Sequence, residues 1–223
     1  MALTEIFSKV LKHDSGDRNQ SERPVADTAS HAKPLTNRTL DRLRHETAAI
    51  HADLDQSLDV ISRFRDSRAR IDLVAAYYEF HRLSETAIRP HLAEISALEL
   101  AARCRSAVIA GDLRALGIKS LPECAGDFIV DNRAQALGAL YVLEGSAFGG
   151  RVILKLLKQH GSALTELGFL DPYGARTASL WRSFLEVLER ETAHTETSIA
   201  DAVNGAVKTF AFAKATLCSK GLR

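Results

Sequence analysis

The stretch from Asn132 to Gln159 keeps a helical period without a proline, yet four glycines stand in its middle: Gly138, Gly145, Gly149 and Gly150. Each glycine inside a helix costs about 1 kcal/mol relative to alanine. A long helix that carries such a penalty must be held by what packs around it, so it sets the frame for the fold. Gly138, Gly145 and Gly149 fall at i, i+7 and i+11, on one helical face. A face without side chains admits either a neighbouring helix backbone or a flat, bulky ligand. The pair Gly149-Gly150 also invites a kink. No GxxxxGK[ST] pattern and no preceding strand accompany these glycines, so they are not a phosphate loop.

The chain from Thr36 onward is helical by period as well. Thr36 or Asn37 offers a cap for a helix running to about Asp59, with Leu40, Leu43, Thr47, Ile50, Leu54 and Leu58 spaced by threes and fours. A second helix from about Ser67 carries Ile71, Val74, Ala75, Tyr78 and Leu83, and Pro90 bends or ends it. A third is expected over residues 97–110, followed by a loop over 117–127 that contains Pro122. Gly161 is a stop for the long helix, and Asp171-Pro172-Tyr173-Gly174 is a turn. Two more helices fit residues 176–192 and 196–219. No strand pattern, repeat or low-complexity tract stands out, so the expected fold class is all-α, one multi-helix domain over residues 36–223. Residues 1–35 differ. Leu3, Ile6, Phe7, Val10 and Leu11 make a short amphipathic patch, and the polar residues after it read as a flexible extension.

Composition removes several classes. Lys+Arg is 29 against 28 Asp+Glu, a net charge of +1 that argues against a general nucleic-acid binder. No stretch approaches the roughly 18 apolar residues of a membrane helix, so no membrane partner is expected. The first residues lack the apolar run and cleavage site of a secretory signal. The three cysteines, Cys104, Cys124 and Cys218, form no CxxC pair. Neither a zinc site nor a disulfide framework is indicated, and a reducing, cytoplasmic location is expected.

Positions 47, 51, 54 and 58 follow i, i+4, i+7 and i+11, which puts His51 on the buried stripe of the first helix and leaves His45 facing solvent. An imidazole aimed into a core needs partners for its nitrogens. A carbonyl or hydroxyl satisfies it, and so does a metal or haem iron. His81 and the pair Tyr77-Tyr78 read as packing or surface residues. Glu144 and Arg151 read as solvated or paired with neighbouring helices. A buried histidine on one helix and a side-chain-free face on another together make a two-sided slot. One side offers an iron ligand; the other offers room and exposed backbone groups.

Two motifs carry a family resemblance. Leu43-Arg44-x-x-Thr47-x-x-x-His51-x-x-Leu54 resembles the proximal helix of haem oxygenases. Leu143-Glu144-Gly145-Ser146-x-x-Gly149-Gly150-Arg151-Val152-Ile153 resembles their distal helix, closest to the bacterial type that accompanies bacteriophytochromes. The likeness covers roughly residues 36–219, in the right order and spacing. It implies a haem sandwiched between a proximal and a kinked distal helix, where haem is both prosthetic group and substrate. By match to the family's positions, His51 is the implied axial ligand of iron. Gly145, Ser146 and Gly149 are implied on the catalytic distal face, with Gly150 in the kink and also against haem. Arg44, Tyr141 and Arg182 are implied at the propionates, and Phe210 or Phe212 as an aromatic wall. Ser146 stands where animal relatives carry an aspartate, and Ala178 where a second basic residue near Arg182 would be.

The implied reaction opens haem to biliverdin, CO and Fe2+ with O2. Its electrons come from an external donor, a ferredoxin or a reductase, because the chain has no flavin, dinucleotide or iron–sulfur fingerprint. A biliverdin-accepting phytochrome is a further implied partner. The glycine face itself offers no acid–base side chain, which leaves backbone groups, ordered water and Ser146 to handle protons. The alternative class is a haem-binding carrier or sensor that keeps the slot without turnover. A third is a protein of the same fold for a non-haem ligand, as in thiaminase-like proteins. A bare distal face favours the enzyme, since a carrier has no need of one.

Overall fold

In the computed structural model, which describes residues 37–124, 126–159 and 167–218, the elements are helical throughout. They are α1 (Arg38–Leu58), α2 (Val60–Arg65), α3 (Ser67–Leu92), α4 (Leu100–Arg103), α5 (Ser106–Ala115), α6 (Arg133–Gln159), α7 (Thr177–Thr192) and α8 (Glu196–Leu217). Single 3-10 turns lie at Ser96–Leu98, Gly168–Leu170 and Gly174–Arg176, and no strand occurs among the described residues. The expectations for residues 1–35, Thr36, Gly161 and Ser219 lie outside the described residues.

Helix α1 buries the stripe read from its period: Leu40, Leu43, Thr47, Leu54 and Leu58 are all buried. Its cap differs from the expectation. The Asn37 side chain makes no capping bond. The carboxylate of Glu189, on α7, instead accepts from the amides of Thr39 at 3.3 Å and Leu40 at 3.0 Å. An anion at a helix N-terminus satisfies otherwise orphan donors and meets the positive end of the dipole. The caps of α3 and α8 are local: Asp66 accepts from Ala69 N at 2.7 Å, and Thr195 accepts from Ser198 N at 3.0 Å.

Three boundaries depart from the sequence pattern. Asp59 adopts a left-handed conformation, φ 40°, and breaks off the short helix α2 that the period did not separate. Pro90 does not end α3, which runs on to Leu92. The single helix expected over residues 97–110 is three pieces, because Glu99 is left-handed, φ 47°, and Cys104 is extended. The break is held from α3. Glu85 accepts from the amides of Arg105 at 2.6 Å and Ser106 at 3.1 Å, which starts α5 afresh.

Helix α6 is continuous from Arg133 to Gln159 and packs most extensively on α8. Glycine makes that crossing. A Cβ on Gly138 would overlap the Ala202 carbonyl of α8, and one on Gly205 would overlap the Gln135 carbonyl of α6. Gly138 therefore serves backbone-to-backbone packing, not the ligand face it was expected to share with Gly145 and Gly149. By length and composition α6 is the one described helix apolar enough to cross a membrane, but 67% of that stretch is buried in the fold. Its hydropathy is that of a core helix.

Candidate functional site

Between α1, α3, α6 and α8 lies a cleft with about 1130 Å3 of space between its walls, partly open to solvent. Helix α1 brings His51, Leu54 and Leu58 to one wall, and α8 adds Phe210, Ala213 and Leu217. Helix α6 brings Tyr141, Gly145, Ser146, Gly149 and Gly150. The two motifs of the sequence thus meet across one cavity.

The His51 side chain is 21% exposed, and its Nδ1 lies 3.3 Å from Asp55 Oδ2, one helical turn on. A carboxylate at Nδ1 favours the tautomer that carries its proton there, the arrangement that raises imidazole basicity at metal centres. Phe210 packs its ring edge-on to His51, with centroids 5.3 Å apart and planes at 80°. Of the two α8 candidates, Phe210 lines the cleft, whereas Phe212 stacks on Phe128. The side chains and the apolar walls fit haem: an imidazole on the α1 wall, a glycine-bearing stretch of α6 on the same cavity, and aromatic rings around.

Gly145 and Gly149 are half-buried on the cleft face of α6. Gly150 has a second duty, because a Cβ there would overlap the Leu170 carbonyl. It seats the turn Gly168–Leu170, whose Phe169 and Leu170 form part of the cleft wall. Asp112 holds that turn in place, accepting from Gly168 N at 3.1 Å and Phe169 N at 3.0 Å. Tyr141 is buried, which raises its phenol pKa, while the Arg44 charge and the Thr47 hydroxyl pull the other way. Arg44 itself is half-buried and not a wall residue. Arg182 is exposed beside Trp181, and only Trp181 reaches the wall. Of the three residues expected at the propionates, Tyr141 alone lines the cleft.

The polar residues of the far wall were not foreseen. His81, read as packing or surface, lines the cleft and is buried, and Tyr77 lines it too. So does Arg105, 2% exposed. Its Nη1 donates to Ser146 Oγ at 3.0 Å, and its Nη2 donates to the Leu143 carbonyl. The α6 glycine face carries no acid–base group of its own, but α3 and the break before α5 supply two groups beside it. His81 Nδ1 lies 3.4 Å from Glu85 Oε1. Burial holds the His81 pKa below its ordinary 6.5, against the upward pull of Glu85. Desolvation pushes Glu85 up, yet bonds from His81, Ser106 and the Arg105 amide hold it below its ordinary value.

A second polar cluster stiffens the same helix from behind. Arg103 Nη1 bonds Glu144 Oε2 at 2.7 Å, and Tyr173 OH donates to Glu144 Oε1 at 2.7 Å. Arg103 Nη2 also donates to Ser183 Oγ at 2.9 Å and the Leu180 carbonyl at 3.1 Å. Glu144 is thus paired with a neighbouring helix, as the sequence suggested, though wholly buried. Arg151 is about half exposed, 3.6 Å from Asp171.

No protein-family model matches the chain. A haem oxygenase of Xanthomonas campestris pv. campestris (strain 8004) is 36% identical over 115 residues, 49% of this chain and 64% of the relative. The chain thus spans somewhat under two thirds of the length of that curated relative. Among solved structures, the NO- and CO-bound haem oxygenase of Neisseria meningitidis superposes with a TM-score of 0.68 at 25% identity. The likeness covers 80% of this chain and 89% of that one. The class that fold and cleft define is the all-α haem oxygenase fold. Within it, the chain is similar in sequence to the Xanthomonas haem oxygenase and in structure to the Neisseria one.

Proposed function

We propose that the chain is a haem oxygenase: it takes haem into the cleft, ligates iron through His51, and opens the macrocycle to biliverdin, CO and Fe2+. The observation that carries the reading is His51, oriented by Asp55, facing the same cavity as Gly145 and Gly149. Bound haem supplies the iron at which dioxygen is activated and the ring that is opened. Everything else falls to the protein. Asp55 keeps the proton of His51 on Nδ1. Gly145 and Gly149 leave α6 free to lie close over a flat ligand. Ser146, held by Arg105, offers a hydroxyl on that side, and the apolar walls exclude bulk water. Tyr141, on the cleft wall, and Arg44 and Arg182 are the residues we assign to the haem carboxylates. Electrons come from a separate donor, a ferredoxin or a reductase, in a reducing cytoplasm. A biliverdin-accepting phytochrome is the partner we assign to the product.

Haemin titration followed by ascorbate in air tests the reading. Wild type is expected to give a one-to-one Soret band that converts to a biliverdin spectrum. His51→Ala is expected to lose normal ligation and at least about a hundredfold in turnover. Stoichiometric haemin binding that survives reductant and a supplied ferredoxin system would favour a carrier. No stoichiometric binding would remove haem from the account.

A further inference from the structure

We propose that Arg105 gives the cleft a fixed positive charge beside Ser146, which makes the α6 wall selective for anions bound at haem iron. This rests on haem occupying the cleft as set out above. Arg105 is buried, at 2% exposure, and it lines the cavity. Both bonds of its guanidinium go to neutral oxygens, Ser146 Oγ and the Leu143 carbonyl. Its Nε is buried with no partner.

Arg103 makes the contrast. Its guanidinium meets the Glu144 carboxylate at 2.7 Å, whereas no carboxylate among the described residues lies within ion-pair distance of the Arg105 guanidinium. Glu85 touches only the Arg105 backbone amide, at 2.6 Å, and the start of α5. Negative charge therefore meets the backbone of Arg105, while its guanidinium, on the cleft wall, has no anionic partner. Tyr173 adds its ring, 5.5 Å from the guanidinium carbon, and its neutral hydroxyl, and brings no charge of its own.

A buried guanidinium with neutral partners has a large unrecovered desolvation cost. That cost is offset when negative charge arrives in front of it, and a rigid donor in a water-poor cavity is worth more than one in water. Anionic ligands such as azide gain from Arg105; neutral ones do not.

The test uses the haem complexes of wild type, Arg105→Met and Arg105→Gln, with folding checked by circular dichroism. Arg105→Gln keeps a donor toward Ser146 without the charge, so it carries the test if Arg105→Met does not fold. Haemin uptake by all three, with azide binding about tenfold weaker in the uncharged variants, is the expected result. The ferrous CO complex reads the same charge, and its C–O stretch is expected to rise when the charge is removed. Equal azide affinity and an unmoved C–O stretch in folded, haem-loaded variants would overturn the proposal alone. Failure of wild type to take up haemin would overturn the haem reading first, and this one with it.

Discussion

At the scale of single residues, the site rests on histidines of opposite character. His51 is half-buried and has its carboxylate one turn away; His81 is buried and neutral, with Glu85 at Nδ1. The His81 pKa is lowered on folding, so the unfolded chain binds more protons than the folded one below about pH 6.5. Stability from this residue is therefore full above that pH and is lost as pH falls toward the folded value. One proton corresponds to a slope of up to about 1.4 kcal/mol per pH unit. Denaturant midpoints of apoprotein measured between pH 7 and pH 5 are expected to fall more steeply in wild type than in His81→Gln. Equal slopes would mean that His81 titrates as if unfolded. The sequence showed His51 because a regular stripe marks it. His81 and Arg105 were not legible in the same way. Arg105 is buried by a break in the helix at Cys104, and no period describes a break.

Elements show how one glycine-rich segment serves two purposes. The extent of helix α6 was legible, though it runs on as one helix through Gly149-Gly150, where a kink was expected; Gly145 and Gly149 line the cleft. Gly138 was not, because spacing alone does not say which neighbour lies above a glycine; here it is the Ala202 backbone. Gly138→Ala is expected to cost about 1–3 kcal/mol in chemical denaturation, as overpacking against a backbone that cannot yield. Gly111→Ala, in α5, is the control. Nothing lies within 4 Å of its new Cβ, so it is expected to gain up to about 1 kcal/mol from helix propensity. A neutral Gly138→Ala would mean that α6 and α8 can move apart without loss.

For the whole molecule, the cleft is a gap that four helices leave open, and filling it should be felt throughout. Haemin at a hundred times its dissociation constant is expected to add about 2.7 kcal/mol to unfolding, by mass action. Thermal melts with and without haemin check this, and His51→Ala should lose most of the increment. The fold class was legible because every long segment repeats at the helical period and none alternates. What closes the cleft was not, because the closing contacts join distant parts of the chain. The α1 N-terminus is one of them: its amides are bonded by Glu189, some 150 residues on. Helix α1 also lies against α8, the last of the described helices. On the ribosome, the segment that carries His51 emerges first among these helices and waits longest for its neighbours. The chamber is complete only once the final third has been made, so any ligand it takes is a guest of the finished chain and not a template for the growing one.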